Sequence, residues 1–146
     1  MVRLEAITKD NFFPVLELKR PEGEGYVPDN ALSIAEAWLY RNEGTSNPRA
    51  MYDDDKLVGF VMTHDSADKP VRDIWRILIP EEFANKGYGS QALRILIDEA
   101  TADEAIEQLK ISYMPGNDRA EHVYRKAGFV PNGEKDGEEI VMEYRF

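Results

Sequence analysis

Residues 71–100 read VRDIWRILIPEEFANKGYGSQALRILIDEA, a strand, a glycine-bearing loop and a helix in immediate succession. Val71 to Ile79 is a β-rich run closed by Pro80, and Ala92, Leu93, Leu96, Ile97 and Ala100 recur at helical spacing. Between them lies FANKGYGS, residues 83–90. The first N–H groups of a helix have no intrahelical acceptor, and the aligned peptide dipoles favour negative charge there. Gly87 and Gly89 allow the main chain to take positive φ and to approach a ligand with no Cβ in the way. A pyrophosphate suits such a place. The pattern is too short for a dinucleotide fingerprint and lacks the Lys-Ser/Thr ending of a P-loop, which argues against NAD and ATP. Taken alone, the same turn also serves as plain structural punctuation.

Working outward, Val2 to Ile7 alternates as a first strand, and Thr8 is placed to cap a short helix carrying Phe12, Val15 and Leu16. Residues 21–28 form a loop. Ser33 and Glu36 resemble a capping box opening a helix with Ile34, Ala37, Trp38 and Arg41 on one side, and Gly44 to Pro48 is expected to end it. Arg49 to Tyr52 and Leu57 to Thr63 read as a hairpin turning at Asp53, Asp54, Asp55 and Lys56. Consecutive aspartates in an exposed turn rarely converge on one ion, so no metal site is expected. Downstream of the central stretch, Leu109, Ile111 and Tyr113 alternate with polar residues in a strand that Pro115 and Gly116 terminate. Asn117 to Ala127 is helical with Gly128 just past its end, and Phe129 to Pro131 and Glu139 to Phe146 close the chain as a hairpin around Asp136 and Gly137. The order predicts an α+β fold, a mixed and mostly antiparallel sheet of about seven strands with about four helices on its faces. No repeat or linker divides the chain, so residues 1–146 are expected to form one domain.

Twenty-eight acidic against eighteen basic residues give a formal net charge of −10. Such a surplus repels nucleic acid and anionic membranes, draws in cationic small molecules, and also serves solubility alone. The lack of cysteine excludes disulfides, thiolate metal sites and thiol nucleophiles, which fits a cytoplasmic protein. The start has no signal-peptide pattern, and no apolar run approaches the roughly 18 residues of a membrane span.

RILIPEEFANKGYGSQAL resembles the acetyl-CoA-binding segment of the GNAT N-acetyltransferase superfamily, whose usual loop is Gln/Arg-x-x-Gly-x-Gly/Ala. Gly87 and Gly89 match; Ala84 stands where Gln or Arg is usual. That exchange removes a bracing side chain and leaves the backbone donors, so the loop Asn85, Lys86, Gly87, Tyr88, Gly89 and Ser90 is expected to bind the cofactor with a different brace. ISYMPGNDRAEHVYRKAGFV, residues 111–130, resembles the second block of the superfamily, with Asn117, Ala120, Tyr124, Gly128 and Phe129 in register. Asn117, Ala120 and Tyr124 fall along one helix face, a stripe suited to an extended cofactor arm.

The resemblance implies an acetyl-CoA-dependent enzyme in which an amine attacks the thioester directly. Asn117 then holds a pantetheine amide, Tyr124 protonates the departing thiolate, the main chain of Ile77, Leu78 and Ile79 steadies the carbonyl oxygen, and Lys126 reaches a phosphate. Lys126 also reads as an ordinary exposed helix lysine. The base is less explicit: Asp73 lies where some members carry a strand glutamate, Glu81, Glu82 and His64 are alternatives, and many relatives use ordered water. KLVGFVM, WRILIP and GEEIVMEYRF look most like the spermine/spermidine (diamine) acetyltransferase branch. That branch implies a small-molecule amine acceptor, with Tyr26 and Trp75 as aromatic contacts to its cations. Competing readings are acetylation of a protein N-terminus, a lysine or another small amine, and a non-catalytic acyl-CoA-binding module; a nucleic-acid role suits neither motifs nor charge. Homodimers are common among similar proteins, but no residue here marks an interface.

Overall fold

The computed structural model describes residues 1–19 and 29–146. Tyr26 and the whole loop expected at residues 21–28 lie outside the described residues. Seven strands, β1 (Val2–Ala6), β2 (Gly44–Asp53), β3 (Lys56–Ser66), β4 (Val71–Leu78), β5 (Gln108–Tyr113), β6 (Val130–Asp136) and β7 (Glu139–Tyr144), form one sheet in the order β1-β2-β3-β4-β5-β7-β6. Among the described residues four helices, α1 (Phe12–Glu17), α2 (Asn30–Leu39), α3 (Tyr88–Ala102) and α4 (Asp118–Ala127), complete the α+β fold. Every neighbouring pair is antiparallel except β4 and β5, whose parallel pairing requires a crossover that α3 supplies. Among the described residues no helix is long and apolar enough to cross a membrane.

Helix α3 buries Ala92, Leu93, Leu96, Ile97 and Ala100, the five residues whose spacing predicted its inner face. Burial of each of Leu93, Leu96 and Ile97 contributes about 1.5–3 kcal/mol. This stripe packs with Ile74, Ile111, Phe129 and Met142 on one side of the sheet, joined by Val123 and Tyr124 of α4. Helices α1 and α2 cover the other side through Val15, Ile34 and Ala37, against Phe60, Met62 and Leu78. A bidentate pair from Arg49 of β2 to Glu99 of α3, at 2.9 and 2.8 Å, ties the crossover helix to the sheet.

Several local expectations are corrected. Asn11, not Thr8, flanks α1, while Thr8 and Asn11 bond each other: the Thr8 N–H donates to Asn11 Oδ1 at 2.7 Å and the Asn11 N–H to Thr8 Oγ at 3.3 Å. Asp29 caps α2 by accepting from the Leu32 N–H, whereas Ser33 is buried inside the helix and its Oγ donates to the Asp29 carbonyl. Trp38 is 65 % exposed with the Arg41 guanidinium 4.0 Å over its ring, so it leaves the face that Ile34 and Ala37 bury. Gly44 to Pro48 belongs to β2 rather than to a loop. Proline is tolerated there because β1 ends opposite Arg49, leaving Pro48 on a free edge.

The decisive irregularity is in β4. Its register with β3 passes from Arg76 opposite Met62 to Ile74 opposite Thr63, so Trp75 is bulged out. A bulge bends its strand. Pairing between β4 and β5 ends at Ile74 and Ile111, and the remaining residues of the two strands part into a wedge.

Candidate active site

The wedge opens into a cleft of about 740 Å³ bounded by three elements: the end of β4 and the residue after it (Ile77, Ile79), the loop and first turn of α3 (Ala84, Asn85, Gly87, Tyr88, Gly89, Ser90), and α4 with its lead-in (Gly116, Asn117, Asp118, Arg119, Ala120, Val123, Tyr124). The size is that of a small-molecule or cofactor site.

Gly87 flanks α3 at φ +81°, a conformation that strains a residue with a Cβ, and it has no side chain with which to cap. The first intrahelical bond is from the Gln91 N–H to the Gly87 carbonyl, so the N–H groups of Tyr88, Gly89 and Ser90 have no acceptor within the helix. They line the cleft and fit an anionic group. Asn85 is also left-handed, at φ +61°. The Tyr88 hydroxyl donates to Asp53 at 2.7 Å, which ties the helix start to the β2–β3 turn and holds the Asp53 carboxyl below its usual range. On the opposite wall Asn117 Oδ1 caps α4 by accepting from the Ala120 N–H at 3.3 Å, so its amide NH₂ remains to serve a ligand.

Tyr124 stands where this cleft meets a second, smaller cavity of about 40 Å³ lined by Trp75 and Arg76 of β4, Ser112 and Tyr113 of β5, Asn117, and Glu139 of β7. Burial, with a lesser push from the Glu139 charge, raises the Tyr124 phenol to about 12. Burial and the neighbouring Asp136 raise the Glu139 carboxyl above its ordinary value, and Arg76 partly offsets them. Arg76 donates to Glu36 of α2 at 2.8 Å and to the Trp75 carbonyl at 2.8 Å, while its buried Nε has no partner among the described residues. Trp75 stacks on His64, centroids 4.1 Å apart and planes 6° apart.

Of the residues singled out in the sequence, Ile77, Ile79, Asn85, Gly87, Tyr88, Gly89, Ser90, Asn117, Ala120 and Tyr124 converge on the main cleft, and Trp75 lines the smaller cavity. Leu78 points into the α1/α2 core, 1 % exposed, which leaves only its main chain near the site. Lys86 and Lys126 are exposed and line neither cavity. Asp73 lines neither cavity; it lies opposite His64 on β3 and Lys110 on β5, and burial raises its carboxyl while Lys110 and His64 pull the other way. Arg119 is the basic residue that reaches the cleft, and its place two residues after Asn117 on the same helix start is a signal that sequence reasoning passed over. Glu139 was missed because only the placement of β7 against β5 brings it to Tyr124.

The geometry has known counterparts. Residues 12–129 match the acetyltransferase (GNAT) family. The chain belongs to that family. It is an acetyl-CoA-dependent N-acetyltransferase. A similar protein is the spermine/spermidine N(1)-acetyltransferase of Bacillus subtilis (strain 168), 28 % identical over 97 % of both chains. The fold is shared with an aminoglycoside acetyltransferase solved with coenzyme A and kanamycin (TM-score 0.80, 20 % identity, 99 % of this chain and 95 % of that one). It is shared too with the spermidine N-acetyltransferase of Vibrio cholerae in complex with CoA and spermine (TM-score 0.73, 16 % identity, 97 % and 92 %).

Proposed function

We propose that this acetyltransferase acts on a primary amine, with a polyamine such as spermine or spermidine as acceptor, by direct attack with Tyr124 as general acid. The observation that carries the reading is the position of Tyr124 in the wall common to both cavities. One cavity has anion-seeking backbone and suits the CoA arm; the other is lined by Glu139 and by Arg76, whose charge is paired with Glu36 at 2.8 Å, which leaves the Glu139 carboxyl to face an amine. Acetyl-CoA, when bound, supplies an acyl carbon activated as a thioester. The chain supplies alignment and proton transfers. A phenol raised to about 12 is protonated at neutral pH and positioned to donate as negative charge develops on sulfur. The Ile77–Ile79 main chain beside the cleft is suited to steady the carbonyl oxygen.

The polyamine lean draws on the full-length similarity to a spermine/spermidine acetyltransferase and on charge. Asp136 acts on both Asp73 and Glu139, and Glu134 on Asp73, a group of carboxylates for a multiply charged amine that Lys110 and Arg76 partly offset. Trp75 offers an aromatic surface beside it. Asp73, two residues before Trp75 on β4, suits a distal ammonium.

The test is CoA release measured over spermine, spermidine, a diamine, kanamycin, a lysine peptide and a monoamine. Polyamines are expected to exceed the monoamine in kcat/KM by about tenfold or more, a difference of about 1.4 kcal/mol in transition-state stabilisation. Polyamines that release no CoA above hydrolysis overturn the acceptor assignment. Tyr124→Phe is expected to lower kcat by about 10²-fold or more while the acetyl-CoA Kd stays within about twofold; an unchanged kcat refutes the general acid.

A further inference from the structure

We propose that Glu139 is the catalytic base of this enzyme, the carboxylate that takes the proton from the acceptor ammonium. The proposal rests on the amine-acetylation reading above, though not on the acceptor being a polyamine.

The position follows from topology. β7 is inserted between β5 and β6, with Ile140 opposite Tyr113, so its first residue arrives beside the end of β5 at the mouth of the wedge. Ile140 packs towards the α3/α4 core, and alternation along the strand sends Glu139 to the other face. There it lines one enclosed cavity with Tyr124, Trp75 and Arg76. Proposed acid and base thus face the same small space from different elements.

The chemistry needs such a group. An alkylammonium has no lone pair, and with a pKa near 10.4 only about one amine in a thousand is neutral near pH 7.4. Glu139 accepts one N–H proton, the freed pair forms the N–C bond to the acyl carbon, and the C–S bond breaks with its electron pair going to sulfur. Tyr124 gives its O–H proton to sulfur and regains one from the new amide nitrogen. Glu139 releases its proton to solvent, so the net products are amide, CoA thiol and one proton. A carboxylate whose proton affinity is raised by burial and Asp136 is a better base than an exposed one, and Arg76, held by Glu36, partly offsets that rise. Asp73, by contrast, has Lys110 and His64 as neighbours and opens into neither cavity.

Glu139→Gln is compared with wild type using whichever amine turns over fastest in the panel. The charged and titratable groups around position 139 are Asp136 in the β6–β7 hairpin, Arg76 on β4, Tyr113 on β5 and Tyr124 on α4. The expected result is a kcat about 10²-fold lower, an acetyl-CoA Kd within about twofold, and loss of the acidic limb of the kcat pH profile. The sign is set by the role: activity falls as pH drops through the raised Glu139 pKa, because the protonated acid accepts nothing. Glu139→Asp should recover part of kcat and keep a limb. A Glu139→Gln enzyme with wild-type kcat and limb, or a limb that moves in Asp73→Asn instead, overturns the assignment. Should Glu139→Gln lose acetyl-CoA binding, Glu139→Asp decides: a kept Kd with kcat down about tenfold supports the base, and a wild-type kcat and pH profile overturns it. Failure of the polyamine reading shows separately, as a different ranking of amines by the wild-type enzyme.

Discussion

Gly87 and Gly89 look equivalent in the sequence and are not equivalent in the fold. At Gly87, φ is +81° and the nearest atom to an added Cβ is Gln91 Nε2 at 4.0 Å, so alanine meets open space but a strained backbone. At Gly89 φ is ordinary, and a Cβ would sit 3.5 Å from Ile79 Cδ1, in normal contact, on the wall of the cleft. Gly87→Ala is therefore expected to cost about 1–2 kcal/mol of stability. Gly89→Ala should fold as well as wild type yet weaken acetyl-CoA by about tenfold, about 1.4 kcal/mol, by standing where the main chain must approach the ligand. Thermal melts with and without acetyl-CoA separate the two. Equal melting temperatures for both variants without ligand would contradict the backbone argument. Ala84, where the family has a longer polar residue, lines the same cleft after a 3-10 turn at Glu81–Phe83.

Among the elements, α4 joins structure and site most closely. Its start is capped by Asn117, its first turn carries Asp118 and Glu121, its last carries Arg125 and Lys126, and Gly128 at φ +112° closes it, so charges and caps agree with the helix dipole. None of its residues is fully buried; it is held by one face, Ala120, Val123, Tyr124 and Ala127, against the core. Asn117 serves as cap through its oxygen and lines the cleft, so its amide nitrogen is the group a bound ligand would test. Asn117→Asp keeps the oxygen and should retain stability while weakening acetyl-CoA binding. Asn117→Ala loses both, at about 1 kcal/mol for the cap, or roughly 2–4 °C in Tm for a chain of this size. Calorimetry paired with titration of acetyl-CoA checks this. An Asn117→Asp enzyme with wild-type affinity would mean that the nitrogen makes no contact with the ligand.

At the scale of the molecule, the net charge of −10 acts on the acceptor's approach. The Debye length falls from about 20 Å near 20 mM salt to about 7 Å near 200 mM, so attraction between the whole acidic surface and a polycation is screened over that range. KM for spermine should rise several-fold more steeply with salt than KM for a monoamine, with kcat nearly constant. Parallel salt profiles would leave the net charge with solubility as its only visible role. Charge alone favours cations as a class; under the reading proposed above, the choice among amines would fall to the cavity between β4, β5 and β7, where Trp75, Arg76 and Glu139 meet.

Local patterns along the chain were enough to specify most elements and one wall of the site. Helical spacing in 92–100, alternation in 108–113, and the helix end at Gly128 are local properties, set by backbone period and hydrogen bonding within a few residues, and the structure reproduces them; Asn117, read as the first residue of its helix, is instead its cap. The cradle around Gly87 and the Asn117, Ala120, Tyr124 stripe were legible for the same reason. The caps of α1 and α2 were misplaced because Ser, Thr, Asn and Asp compete for that role, and the chain offers several in succession. Only the tertiary structure decided what depends on register between distant strands: the bulge at Trp75, the parting of β4 from β5 that opens the cleft, the distance of Lys126 from it, and the arrival of Glu139 beside Tyr124. Strand order sets these, and pairing energy there comes from residues far apart in the chain, about which a local pattern carries no information.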